Sequence, residues 1–170
     1  MTRVAKGLTT RTVRLTLPSM PRHTALIVPV PEADAYVVDA PPGIRAHITV
    51  LSWFLDPEAV DEEALVDLFA PVPAFEFALD RLEHWPEGIT WLHPEPSQPF
   101  VELTEAVWRS WPECPPYGGV HAEIIPHLTL AKTAIEPVVP LPIRCRATAV
   151  ALVEEDDAGV FALRRSFALG

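Results

Sequence analysis

Two short stretches of this sequence combine residue types suited to proton transfer and anion binding. His47-Ile-Thr-Val50 and His127-Leu-Thr-Leu130 share the pattern His, aliphatic, Thr, aliphatic, 80 residues apart. Side chains at i and i+2 of a strand point to one face. His47 and Thr49 should therefore project together, with Ile48 and Val50 turned to the core. His127 and Thr129 should do the same against Leu128 and Leu130. The 6 histidines and 12 threonines among 170 residues give only about 0.4 chance His-x-Thr matches. A second match, with aliphatics at all four other positions, lowers the odds of coincidence to well below ~1%.

Two such strands facing one cleft suit displacement at phosphorus. An imidazole titrates near neutrality, so one neutral ring takes a proton from the attacking oxygen. The other, protonated, gives one to the leaving oxygen. The neighbouring hydroxyls donate to the phosphoryl oxygens as charge builds. This scheme needs no metal, and two histidines without cysteines at ligand spacing are too few for a zinc site.

The rest of the chain must hold these strands. It has 170 residues, 49% apolar and 21% charged, which predicts one globular domain rather than disorder. No apolar run reaches the ~20 residues of a membrane span. Two cysteines, Cys114 and Cys145, make no disulfide framework, so a cytoplasmic protein is expected. Twenty prolines predict short elements joined by stiff loops.

Strands are predicted over 24–30, 44–54, 75–80, 89–93, 120–131, 143–154 and 159–168. Asp56 and Pro57 open a helix predicted over 57–70, and Ser97 caps another over 98–111. Residues 32–38 fit one or two helical turns. The fold class read from this order is α+β, mostly antiparallel, with two helices outside. The repeated motif divides it into two half-domains around a shared cleft.

The net charge of −10 is uneven. Residues 1–22 carry Arg3, Lys6, Arg11, Arg14 and Arg22 and no acid, whereas the remainder holds 8 basic and 23 acidic side chains. Residues 1–21 read as a loosely packed basic arm, with 1–19 dispensable and Met20 an alternative start, and 22–170 as the domain. So acidic a body disfavours an extended nucleic-acid surface. The expected partner is a small nucleotide or an RNA end, with no membrane contact and a monomeric state.

The paired motifs resemble those of the two-histidine, or 2H, phosphoesterase superfamily, and within it the bacterial 2'-5' RNA ligase and RNA 2',3'-cyclic phosphodiesterase group. The resemblance extends to Leu26-Ile-Val-Pro-Val-Pro31, His47 to Leu55, Pro116-Tyr-Gly-Gly119 and Ile125 to Leu130, and spans about residues 22–170. It implies a bilobed fold with a pseudo-twofold axis and cofactor-free hydrolysis of 2',3'-cyclic or 2'-5' phosphodiesters. It makes His47 the proton donor and His127 the base, with Thr49 and Thr129 on the phosphoryl group. A nucleotide-binding module without turnover and a 2'-5' RNA-end ligase are the alternatives. The span 32–44 leaves little room for the family's usual first helix, the prolines of 133–142 remove another, and Lys132 stands where an Arg is common.

Further candidate substrate contacts are Tyr117, on a glycine-flanked flap or plain surface turn, Trp53, on the His47 face or the cleft floor, and Lys132, if the strand end brings it round. Trp91 and His93 share a strand face and are read as structural. His23, His84 and His121 are read as surface or loop residues, and Glu154 to Asp157 as a solvated hairpin tip.

Overall fold

The period-two segments and end signals resolve into eight strands and two α-helices in the computed structural model, which describes residues 23–170. The expected basic arm lies outside the described residues. Strands β1 (Thr24–Pro29) and β2 (His47–Leu51) precede helix α1 (Glu62–Phe69). Strands β3 (Phe75–His84) and β4 (Thr90–Glu95) form a hairpin ahead of helix α2 (Gln98–Ser110). Strands β5 (Leu128–Ala131), β6 (Ile143–Ala147), β7 (Ala149–Glu155) and β8 (Phe161–Ala168) complete the chain. They make two four-stranded antiparallel sheets, ordered β2-β1-β7-β8 and β5-β4-β3-β6. The α+β, bilobed fold class is as expected.

Five elements differ from the sequence reading. The strand over 44–54 is confined to His47–Leu51, bounded by the Gly43 turn and by the bulge at its end. The helix over 57–70 is shorter, because the chain makes a 3-10 turn at Pro57–Ala59 and restarts at Asp61. The Asp61 carboxylate accepts from the amides of Glu63 and Ala64, both at 3.1 Å, and outcompetes Asp56 as the helix cap. Ser97 holds the cap position of α2, but its hydroxyl makes no capping bond. The strand over 120–131 shrinks to four residues: Pro126 has no N–H for a ladder, and Val120 is exposed. The strand over 143–154 is two strands. β6 pairs with β3, while β7 pairs with β1, so the chain passes from one sheet to the other at Thr148. That crossing, with Leu169 N–H donating to the Thr148 carbonyl, ties the lobes together.

The core lies between each sheet and its helix. Phe100 of α2 meets Phe77 and Phe75 edge-on at 5.0 and 5.1 Å, and Phe69 of α1 meets Phe167 at 5.8 Å. The buried Thr104 hydroxyl donates to the Val50 carbonyl at 2.9 Å, which joins α2 to β2 of the other sheet. The approach to β2 depends on Gly43. Its φ is +90°, and a Cβ there would lie 1.8 Å from the Phe161 carbonyl oxygen.

Candidate active site

β2 and β5 are edge strands of their own sheets and lie against each other. Each begins at a motif: His47 is the first residue of β2, and His127 immediately precedes β5. The alternation expected from sequence holds. Ile48, Val50, Leu128 and Leu130 are buried, whereas His47, Thr49, His127 and Thr129 are half-buried.

Both rings are held in the same way. His47 Nδ1 lies 2.6 Å from the Arg45 carbonyl oxygen, and His127 Nδ1 lies 2.7 Å from that of Ile125. Each partner is two residues upstream. A carbonyl oxygen only accepts, so Nδ1 carries the hydrogen in both rings and Nε2 is left to the substrate. Burial lowers the pKa of both imidazoles, and the carbonyl bonds oppose it in part. A charge on His127 lowers that of His47 further, which ties the two rings to one electrostatic site.

The strand registers give the two sheets unlike faces beside the motifs, since directly opposed residues of an antiparallel pair share a face. In the first sheet Thr49 stands opposite Ile27, and Ile27 opposite Ala151; along the strands follow Ala25, Val153 and Leu163. That face is mostly apolar, with Ser166 opposite Ala151 and Arg45 at its groove. In the second sheet Thr129 stands opposite Trp91, and Trp91 opposite Glu83; along the strands follow His93, Arg81 and Glu95. That face is polar and aromatic.

A cavity of about 570 Å³ opens next to His127, with Trp85, Tyr117, Ile125, Glu87 and Glu123 among its lining. Trp85 stacks on Trp91 at 4.8 Å and 20°. Both rings stand steeply inclined to that of His127, at 5.7 and 5.8 Å.

Of the residues singled out in sequence, Tyr117 lines this cavity, and Trp91 and His93 share the face of Thr129. Trp53 and Lys132 lie beyond the ends of the motif strands. β2 ends at Leu51 after a bulge that turns both Val50 and Leu51 inward, so the face of His47 and Thr49 does not run on through Leu51. Trp53 follows at φ 54°, 76% exposed, with its ring 5.7 Å from His23. Lys132 is exposed just past β5, its amide donating to Asp39 at 3.0 Å. Trp85 was not anticipated. Its only signal was its place before the Pro86-Glu87-Gly88 turn that returns Trp91.

Among the described residues, one group has donor atoms close enough for a cation: Asp80, His93 and Glu95, all within 4.8 Å of one another. Arg81 already lies against the Asp80 carboxylate at 3.2 Å, which opposes a second positive charge there.

Comparison with known proteins bears on the family and the fold. Residues 25–159 match the family described as the 2'-5' RNA ligase superfamily. The fold is similar to Escherichia coli LigT complexed with 3'-AMP, with a TM-score of 0.63, 18% identity, and 88% of this chain and 99% of that chain covered. It is also similar to TT0787 of Thermus thermophilus, with a TM-score of 0.62, 20% identity, and 86% and 97% covered. No curated protein matches the chain in sequence.

Proposed function

Since the chain belongs to the 2'-5' RNA ligase superfamily, we propose that it is a metal-independent 2H phosphodiesterase. Its substrates are 2',3'-cyclic or 2'-5' phosphodiesters of a small nucleotide or an RNA end. The observation that carries this reading is the matched pair of imidazoles, each with Nδ1 on the carbonyl two residues upstream and a threonine beside it on the same strand face. A single polar histidine on a sheet would not call for a second, identically held one at the facing edge.

In the proposed reaction water attacks phosphorus in line with the leaving ester oxygen. His127 Nε2 takes the proton of the attacking water. The bond from phosphorus to the leaving oxygen breaks, and protonated His47 gives that oxygen its proton. Thr49 and Thr129 donate to the two non-bridging oxygens, where negative charge rises in the transition state. One turnover leaves the two protons exchanged between the rings, and the product's departure resets them through solvent.

The cavity beside His127 suits a nucleobase: its size fits a small ligand, and Trp85 and Tyr117 offer flat apolar surfaces. LigT has been crystallised with 3'-AMP and with ATP, which is consistent with a small-nucleotide site on this fold. Both motifs come from one chain, so we take the active unit to be a monomer. Both cysteines are free and buried, in keeping with a reducing cytoplasm. The same groups serve ligation in reverse, because the proton transfers are reversible.

The test is a panel of 2',3'-cyclic nucleotides, 2'-5' dinucleotides and ADP-ribose cyclic phosphate, each assayed in chelator, with product ends checked for ligation. Turnover of at least one class, lost on His127→Ala, is expected. Binding of the panel with no turnover would make the chain a nucleotide-binding module instead.

A further inference from the structure

The segment before β5 has no ladder to hold it, yet the carbonyl that orients His127 belongs to it. What holds that carbonyl is Tyr117. The Tyr117 hydroxyl accepts from the Ile125 N–H at 3.2 Å and donates to the Ile125 carbonyl at 3.1 Å. The same oxygen accepts Nδ1–H of His127 at 2.7 Å, so its two lone pairs serve the phenol and the imidazole. Pro126 stiffens the link. It confines Ile125 to extended backbone and fixes its own φ, which leaves few ways for the carbonyl to turn.

Tyr117 is itself held in a conformation that a bulky residue rarely adopts. Its φ is 53°, and Gly118 and Gly119 follow at 63° and 77°. Such backbone persists only where its surroundings impose it; the two hydroxyl bonds do so together with the turn's own bonds, Gly118 N–H on the Pro115 carbonyl and Val120 N–H on that of Tyr117. Burial raises the phenol pKa, so the hydroxyl keeps its proton and remains a donor. The other half of the molecule lacks this device. Among the described residues no hydroxyl bonds the Arg45 carbonyl; the approach to His47 is fixed instead by Ala46 N–H on Asp34 Oδ1 at 3.0 Å.

We propose that Tyr117 is a positioning residue for His127: acting through the Ile125 carbonyl, it fixes the tautomer and ring orientation that leave Nε2 free as the base. The ring of Tyr117 lines the cavity while its hydroxyl is committed to the backbone, so its two parts have separate roles. The catalytic half of this inference rests on the phosphodiesterase reading. The tautomer half does not, and it is measurable in the ligand-free protein.

The experiment is Tyr117→Phe, which keeps the ring and removes the hydroxyl. The ¹⁵N shifts of the His127 imidazole should move from pure Nδ1–H toward a mixture of tautomers, while those of His47 stay put. On a substrate that is turned over, kcat should fall roughly ten-fold with KM changed less than about two-fold, the pattern of a misplaced base rather than a lost contact. Fluorinated tyrosine at position 117 gives a second reading in a chain that retains every hydrogen bond. As a stronger donor, it should shift the His127 Nδ1 resonance alone. Unchanged His127 shifts in both proteins would overturn the proposal, and so would a rise in KM with kcat intact. A catalytically inert protein whose His127 shifts still respond would refute the phosphodiesterase reading and leave the positioning role standing.

Discussion

In the proposed reaction each imidazole must exist in one protonation state while its partner exists in the other, and burial bears on both. Because both pKa values lie below the ordinary histidine value, protons leave the pair at lower pH than from free imidazoles. Raising the pH removes the donor's proton, and lowering it protonates the base. The kcat/KM profile of the free enzyme should therefore be bell-shaped, with its centre on the acid side of ~6.5, and its two limbs belong to the coupled pair. A profile centred well above neutrality would contradict it. His47→Ala and His127→Ala should each lower turnover by ~10²–10⁴-fold, and Thr49→Ala or Thr129→Ala by less, since each removes one donor while both proton transfers remain. A substrate with a far better leaving group needs little protonation, so it should restore most of the rate of His47→Ala and none of that of His127→Ala. Rescue of His127→Ala alone would exchange the two roles. The His-x-Thr pairs were legible in sequence because side-chain identity carries them. The Arg45 and Ile125 carbonyls were not, because a backbone acceptor has no residue type, and any sequence supplies one.

Secondary elements were legible where one local signal acted alone and failed where two competed. The alternation of 75–80 and the apolar stripe of α2 had no rivals. Asp56 is the cap expected from sequence, but Asp61, five residues on, caps the helix because it reaches two amides rather than one. Asp61→Ala should therefore destabilise the fold by about 1 kcal/mol, visible as a lower melting temperature, and Asp56→Ala by clearly less. The run 143–154 read as one strand because apolar alternation continues through Thr148; which sheet each half joins depends on partners far away in the chain. Gly43 gave no warning either, as its constraint comes from Phe161, 118 residues on. Gly43→Ala forces a side chain into a carbonyl oxygen at a positive φ. It should cost roughly 1–3 kcal/mol and lower kcat as the approach to His47 shifts. An unchanged melting curve would show that the 41–46 segment yields freely.

At the scale of the whole molecule the question is how much of a polynucleotide this surface can hold. A strand leaving the site would cross one of two faces. The face of the first sheet is largely apolar, and its one cation among the lining residues, Arg45, lies 3.7 Å from Asp34. That of the second carries arginines, most of them engaged: Arg81 pairs with Asp80 and Glu83, and Arg146 with Glu76, while Arg144, opposite Ala78, is exposed. On the outer surface Arg164 and Arg165 are drawn to Glu62, and Arg165 also to Glu63. Glu87 and Glu123 stand on the cavity beside His127 and repel any phosphate beyond the reacting one. Binding of longer RNA releases counterions in proportion to the phosphates neutralised, and with most arginines held by acids that number should stay small: the reacting phosphate of the proposed reaction, with Arg45 and Arg144 the only further cations on the two faces among the described residues. Extending a good substrate by several nucleotides should therefore leave kcat/KM within about three-fold. The slope of log kcat/KM against log salt should correspond to no more than about three phosphate contacts and differ little between short and long substrates. A ten-fold gain with length that disappears at high salt would reveal a basic track and assign the enzyme to RNA ends rather than to free nucleotides.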